Sequence, residues 1–94
     1  MKLRAYLLNM PVDQRERWAA ACGTSLNYLW RLAYNFDKGL RPSAELATQI
    51  EIHSNQMVRR WESIPETWHR IWPELIGLPG APSLQQELAV EDVA

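Results

Sequence analysis

The chain has 94 residues, 47% of them hydrophobic and 22% charged, with a net charge of −1, as expected of one small globular domain and not of a disordered chain. No apolar run approaches the ~20 residues of a membrane helix, and the segment ahead of Pro11 lacks the apolar centre of a signal peptide. One cysteine precludes an internal disulfide, two histidines argue against a zinc site within the chain, and the size is wrong for most enzymes with large cofactors, so the expectation is a small cytoplasmic binding module.

The apolar pattern is helical from the start. Leu3, Tyr6, Leu7 and Met10 fall at i, i+3, i+4 and i+7 and predict a first short helix that Pro11 ends. A second helix is expected from Asp13, with Asp13 as N-cap and Glu16 three residues on as a capping box. It runs through Trp18-Ala19-Ala20-Ala21 and stops near Cys22-Gly23, where glycine permits positive φ. Ser25 predicts the cap of a third helix with Leu29, Leu32 and Ala33 on its inner face. Asn35 to Arg41 reads as a loop.

A fourth helix is expected from Pro42-Ser43, burying Ala44, Leu46, Ala47 and Ile50 and ending near Asn55 in a left-handed conformation. Met57–Glu62 is either a short helix or an extended piece. Ser63, with Glu66 three on, predicts another helix start, followed by a stripe of Trp68, Ile71, Trp72 and Leu75 that Pro73 breaks or kinks. The expected organisation is an all-α domain of about five short helices over residues 1–78 and a flexible acidic tail over 79–94.

The stretch Arg15–Tyr34 has the spacing of a helix-turn-helix: two short helices joined by Cys22-Gly23-Thr24. Ala19 is small where the helices touch, Gly23 sits in the turn, and Leu29 and Leu32 point back into the angle between them. Trp18 and Cys22 complete the apolar side. A helical hairpin in any small bundle has the same outline. In a helix-turn-helix the helix 25–34 lies in the major groove of DNA, N-terminal end toward the bases. Its outward residues are Leu26, Asn27, Trp30, Arg31 and Tyr34. Asn27 suits an adenine edge, Arg31 a guanine edge and Leu26 a thymine methyl.

Arg15, opening the second helix, is placed for a phosphate, as are Lys38 and Arg41 in the following loop. Together with the cap Ser25 and with Tyr28, these form the candidate DNA-contacting set. Each has a plainer role. Asn27 and Arg31 can simply be solvated. Trp30 and Tyr34 can pack against Phe36 or make a subunit contact, and Tyr28 can lie at the core edge. Charge is also uneven: Met1–Trp61 has nine basic and five acidic residues, and Glu62–Ala94 one basic and six acidic. That fits either a polyanion on one face or ordinary solvated charge.

The run Ala20–Leu29 resembles the helix-turn-helix of the phage Cro and YdaS-like family of small prophage regulators. Arg41–Glu51 resembles the helix that follows it there, and Trp68-His69-Arg70-Ile71-Trp72-Pro73-Glu74-Leu75 is similar to that family's C-terminal Trp…Ile-Trp-Pro-Glu-Leu signature. The resemblance spans about residues 12–76. The loop Asn35–Gly39 is longer than the family's glycine turn. What the resemblance implies is a lambda-repressor-like fold that binds operator DNA and represses transcription, often as a homodimer, in the cytoplasm of a bacterial host.

Trp61, Trp68 and Trp72 either close the core or form a symmetric dimer contact. The alternative function is an antitoxin-type module whose C-terminal segment grips a toxin partner. No catalytic residue, cofactor or metal is expected: there is no phosphate-binding glycine loop, no ligand cluster and no nucleophile–base pair.

Overall fold

A computed structural model describes residues 1–84. They form six α-helices: α1 (Leu3–Asn9), α2 (Val12–Ala21), α3 (Leu26–Tyr34), α4 (Ala44–His53), α5 (Arg60–Ser63) and α6 (Trp68–Ile71). Two 3₁₀ turns, Phe36–Lys38 and Pro73–Leu75, complete the path, and no strand occurs among the described residues. None of these helices is long and apolar enough to cross a membrane.

The sharp turn after α2 follows from glycine. The Thr24 N–H donates to the Ala19 carbonyl at 3.1 Å and the Gly23 N–H to the Ala20 carbonyl at 3.0 Å, with Gly23 at φ +85°. This is a Schellman ending, which needs a left-handed residue at that place. Ser25 then caps α3, its Oγ accepting from the Tyr28 N–H at 3.1 Å. Ser43 caps α4 in the same way through the Leu46 N–H, also at 3.1 Å. Asn55 and Gln56 both lie at positive φ, 53° and 67°, and turn the chain back after α4.

Two apolar clusters share α4. The first gathers Leu7, Ala19, Cys22, Leu29, Leu32 and Ala33 with Leu46, Ile50 and Val58. The second gathers Trp61, Ile64, Trp68, Trp72 and Leu75 with Ala47. Leu46 and Ile50 of α4 thus join the first cluster, and Ala47, on an adjoining stripe of the same helix, joins the second. The indole N–H of Trp18 ties α2 to the end of α4 by donating to the His53 carbonyl at 2.8 Å. Between the clusters lies Glu51, 6% exposed. Its Oε1 accepts from Arg60 Nε at 2.9 Å and its Oε2 from the Arg60 N–H at 3.1 Å. Arg59 Nε lies 3.0 Å from Oε2, at ion-pair distance but without hydrogen-bond alignment.

Several boundaries differ from the expectation. Helix α2 starts at Val12 with Pro11 in the N-cap place, so Asp13 is a first-turn residue and not the cap. Proline already has φ −55° there and its missing N–H costs nothing at a helix start. Met57 and Val58 form a bend and Arg59 alone is extended ahead of α5. Ser63 ends α5 and starts nothing. Glu66 cannot complete a capping box with it, because Arg41 holds its carboxylate at 2.7 and 3.0 Å. The next helix waits until Trp68, after Thr67.

Pro73 divides the final stripe into α6 and a 3₁₀ turn, leaving Ile71 exposed while Trp68, Trp72 and Leu75 are buried. The helix expected from Ser63 is therefore one short helix and a 3₁₀ turn, and α5 falls mostly within Met57–Glu62, expected as either a short helix or an extended piece. The expected tail does not begin at Pro79 as a free segment: Ala81 and Leu84 pack on the tryptophan cluster, and Gly80 faces Trp61. The rest of that tail, 85–94, lies outside the described residues.

Candidate nucleic-acid interface

Helix α3 has two distinct sides. Leu29, Leu32 and Ala33 are buried against α1, α2 and α4. A helix turns 100° per residue, so Asn27, Arg31 and Tyr34 come out on the opposite side, and all three are exposed. Tyr28 flanks this face at 37% exposure and is not among the residues packed on the first cluster. Ser25 stands exposed at its N-terminal end.

Trp30 and Tyr34 do not pack on Phe36. They stack on each other, one turn apart, with ring centres 5.5 Å apart and planes 29° apart. Each ring also carries a cation: Arg15 from α2 lies 5.4 Å from the Trp30 ring centre and Arg4 from α1 lies 4.7 Å from that of Tyr34. Such contacts orient a guanidinium without neutralising it. Lys2 sits 4.7 Å from the Phe36 ring centre in the loop beyond. Among the described residues, Lys2, Arg4, Arg15, Arg31 and Lys38 make no ion pair. The side of the molecule around α3 is therefore rich in unneutralised positive charge.

Three of the expected contact residues sit differently from their expected roles. Arg41 does not project from the loop. Its guanidinium forks onto Glu66 and donates to the carbonyls of Phe36 and Leu40, at 2.6 and 3.0 Å. Its plane also lies 3.8 Å from the Phe36 ring centre. With those donors engaged, it is a tie between the loop and the second cluster. The hydrogen bond from Arg41 pulls the Glu66 carboxyl below its ordinary pKa.

Arg15 is half-buried and folds back on the end of α1, donating to the Met10 carbonyl at 3.2 Å and reaching the Leu8 carbonyl at 3.5 Å. It satisfies orphan carbonyls there and holds the rim of the Trp30 ring. Leu26 packs partly into the first cluster, so its side chain is not freely presented. Lys38 remains exposed at the end of the 3₁₀ turn.

Lys2 and Arg4 belong to the basic side and were missed by sequence reasoning. They flank Leu3 on α1, and the pattern there says only that α1 is amphipathic. Their nearness to α3 becomes visible once α1 is seen to lie along it. Cys22 is 3% exposed and burial pushes its thiol up to about 11, which leaves it protonated and unreactive at neutral pH. No group of three or more His, Cys, Asp or Glu side chains is placed to hold a metal among the described residues. Trp61, Trp68 and Trp72 are buried in the second cluster, closing the core.

No protein-family model matches this chain, and neither does any curated protein.

Proposed function

We propose that the chain is a sequence-specific DNA-binding regulator, a Cro-like repressor of phage or prophage type that sets α3 into the major groove of operator DNA. The observation that carries this reading is the arrangement of α2, the Gly23 turn and α3. It buries Leu29, Leu32 and Ala33 while leaving Asn27, Arg31 and Tyr34 outward amid unpaired cations. Asn27 and Arg31 stand one turn apart, the spacing needed to reach successive base edges, where amide and guanidinium each form two hydrogen bonds. Lys2, Arg4 and Lys38 supply sequence-independent attraction to phosphates, and Ser25 and Tyr28 stand where the strand backbone passes. Regulation then follows from occupancy of promoter DNA in the bacterial cytoplasm and needs no chemistry or cofactor. A homodimer doubles the site, with half-sites about one helical turn apart.

The antitoxin alternative draws no support from the tryptophans, since all three are spent on the core. It retains only the segment beyond them.

The test is a titration of fluorescent duplexes drawn from the DNA flanking the gene. We expect one fragment to be preferred and affinity to fall steeply with salt. Arg31→Ala should cost about 1–3 kcal/mol and relax preference at one base step, with folding unchanged because the side chain is exposed. Equal binding to every duplex, with the preference indifferent to Arg31, refutes the reading.

A further inference from the structure

A cavity of about 200 Å³ opens where the start of α1, the end of α3, the following loop and α5 meet. Its floor is apolar: Leu3, Leu32, Phe36 and Leu40. Its rim holds two cations, Lys2 and Arg4, neither in an ion pair among the described residues. Two carboxylates also line it. Glu62 is engaged by the amino group of Met1, 2.8 and 2.6 Å from its two oxygens, which leaves Asp37 as the unpaired anion against two unpaired cations. Ser63 reaches the wall from α5. The residue is 8% exposed, and its hydroxyl makes no hydrogen bond among the described residues and is open to solvent. A hydroxyl at the wall of a cavity can donate to or accept from a polar atom of a ligand seated there.

We propose that this cavity binds a small monocarboxylate with an apolar body, an aromatic or short aliphatic acid. The body lies on Leu3, Leu32 and Phe36, the carboxylate meets Lys2 and Arg4, and the Ser63 hydroxyl donates to the ligand. The cavity is smaller than those that hold drug-sized ligands, so the acid is small and its affinity modest. Arg4 is also the cation over Tyr34 on the outer face of α3. A carboxylate that draws Arg4 into the cavity takes it from that face, so the acid acts as an effector that weakens DNA binding. This consequence rests on the proposed function; the ligand site does not.

The experiment is an amide chemical-shift titration of the full chain with phenylacetate and hexanoate, and with phenylacetamide and hexanamide as neutral matches. No DNA is present, so failure of the regulator reading leaves this result independent. We expect saturable shifts centred on Leu3, Phe36, Leu40 and Ser63, with the acids binding about fivefold or more tightly than the amides, the order of one solvent-screened charge pair. The double variant Lys2→Gln, Arg4→Gln should erase that preference. Both positions are exposed, so the fold should survive. Ser63→Ala should weaken all four ligands. Shifts that do not saturate or centre elsewhere overturn the proposal, as does equal binding of acids and amides.

Discussion

The two sides of α4 are built on opposite plans. On the side of α1–α3 the core is aliphatic and small: Leu7, Ala19, Cys22, Leu29 and Leu32. Small residues let the helices approach closely, and the surrounding cations are left without carboxylates. On the side of α5 and α6 three indoles fill the core, Trp61 and Trp68 from helices of four residues each and Trp72 from just past α6. Among the described residues there, most of the cations, though not the exposed Arg70, are neutralised. Arg59 and Arg60 meet Glu51, and Arg41 meets Glu66. Arg59 also covers Trp61, and Arg60 covers Trp72. The lesson is that total charge describes neither half. Among the described residues, one half leaves its cations without ion pairs, and the other uses most of its cations internally to hold short helices in place.

The comparison breaks most readily at Trp68, which is 2% exposed at the centre of the second cluster. Trp68→Ala should cost about 3–5 kcal/mol in denaturant unfolding. Hydrogen exchange should rise more over residues 60–75 than over 3–34; a uniform rise would mean that the two clusters are one unit through α4. Glu51→Ala comes next. It strands two largely buried guanidiniums and should cost about 3 kcal/mol, at the low end for such pairs because both arginines retain some solvent.

Gly23→Ala sharpens the other half. An added Cβ meets nothing within 4 Å, so the penalty is that of the left-handed backbone alone, about 1–2 kcal/mol. Under the proposed function, DNA affinity should fall only as far as folding does.

The smallest effect belongs to Arg41 and Glu66. The folded-state pKa of Glu66 is depressed, so its contribution is present above the ordinary carboxylate pKa and is lost as pH falls through the lowered value. Glu66→Gln should lower stability by at most about 1 kcal/mol at neutral pH, since the carboxylate is 58% exposed. The gap in melting temperature between variant and parent should close in acid.

Much of this was legible in the residue order because the signals were local. Ser25 and Ser43 cap the helices they precede, Gly23 and Asn55 take the positive φ they are suited to, and the inner stripe of α3 follows helical periodicity. The errors fell where a distant residue competed for a local role. Glu66 was read as a capping partner of Ser63, but Arg41, 25 residues away, holds its carboxylate. The start of the tail was read as free because it is rich in proline and glycine, but the indole cluster offers Ala81 and Leu84 an apolar surface.

The amino-acid order alone determined the helices of the described residues, the turn between α2 and α3, and the outward placement of Asn27, Arg31 and Tyr34, whereas Leu26 and Trp30, also expected outward, pack on the first cluster. Each depends on interactions within a few residues, where backbone preference and periodicity decide. Only the tertiary structure decided which cations remain unpaired, which tryptophans are core, and that Lys2 and Arg4 belong beside α3. Charge pairing and burial depend on neighbours brought from far along the chain, and those neighbours are set by packing around α4.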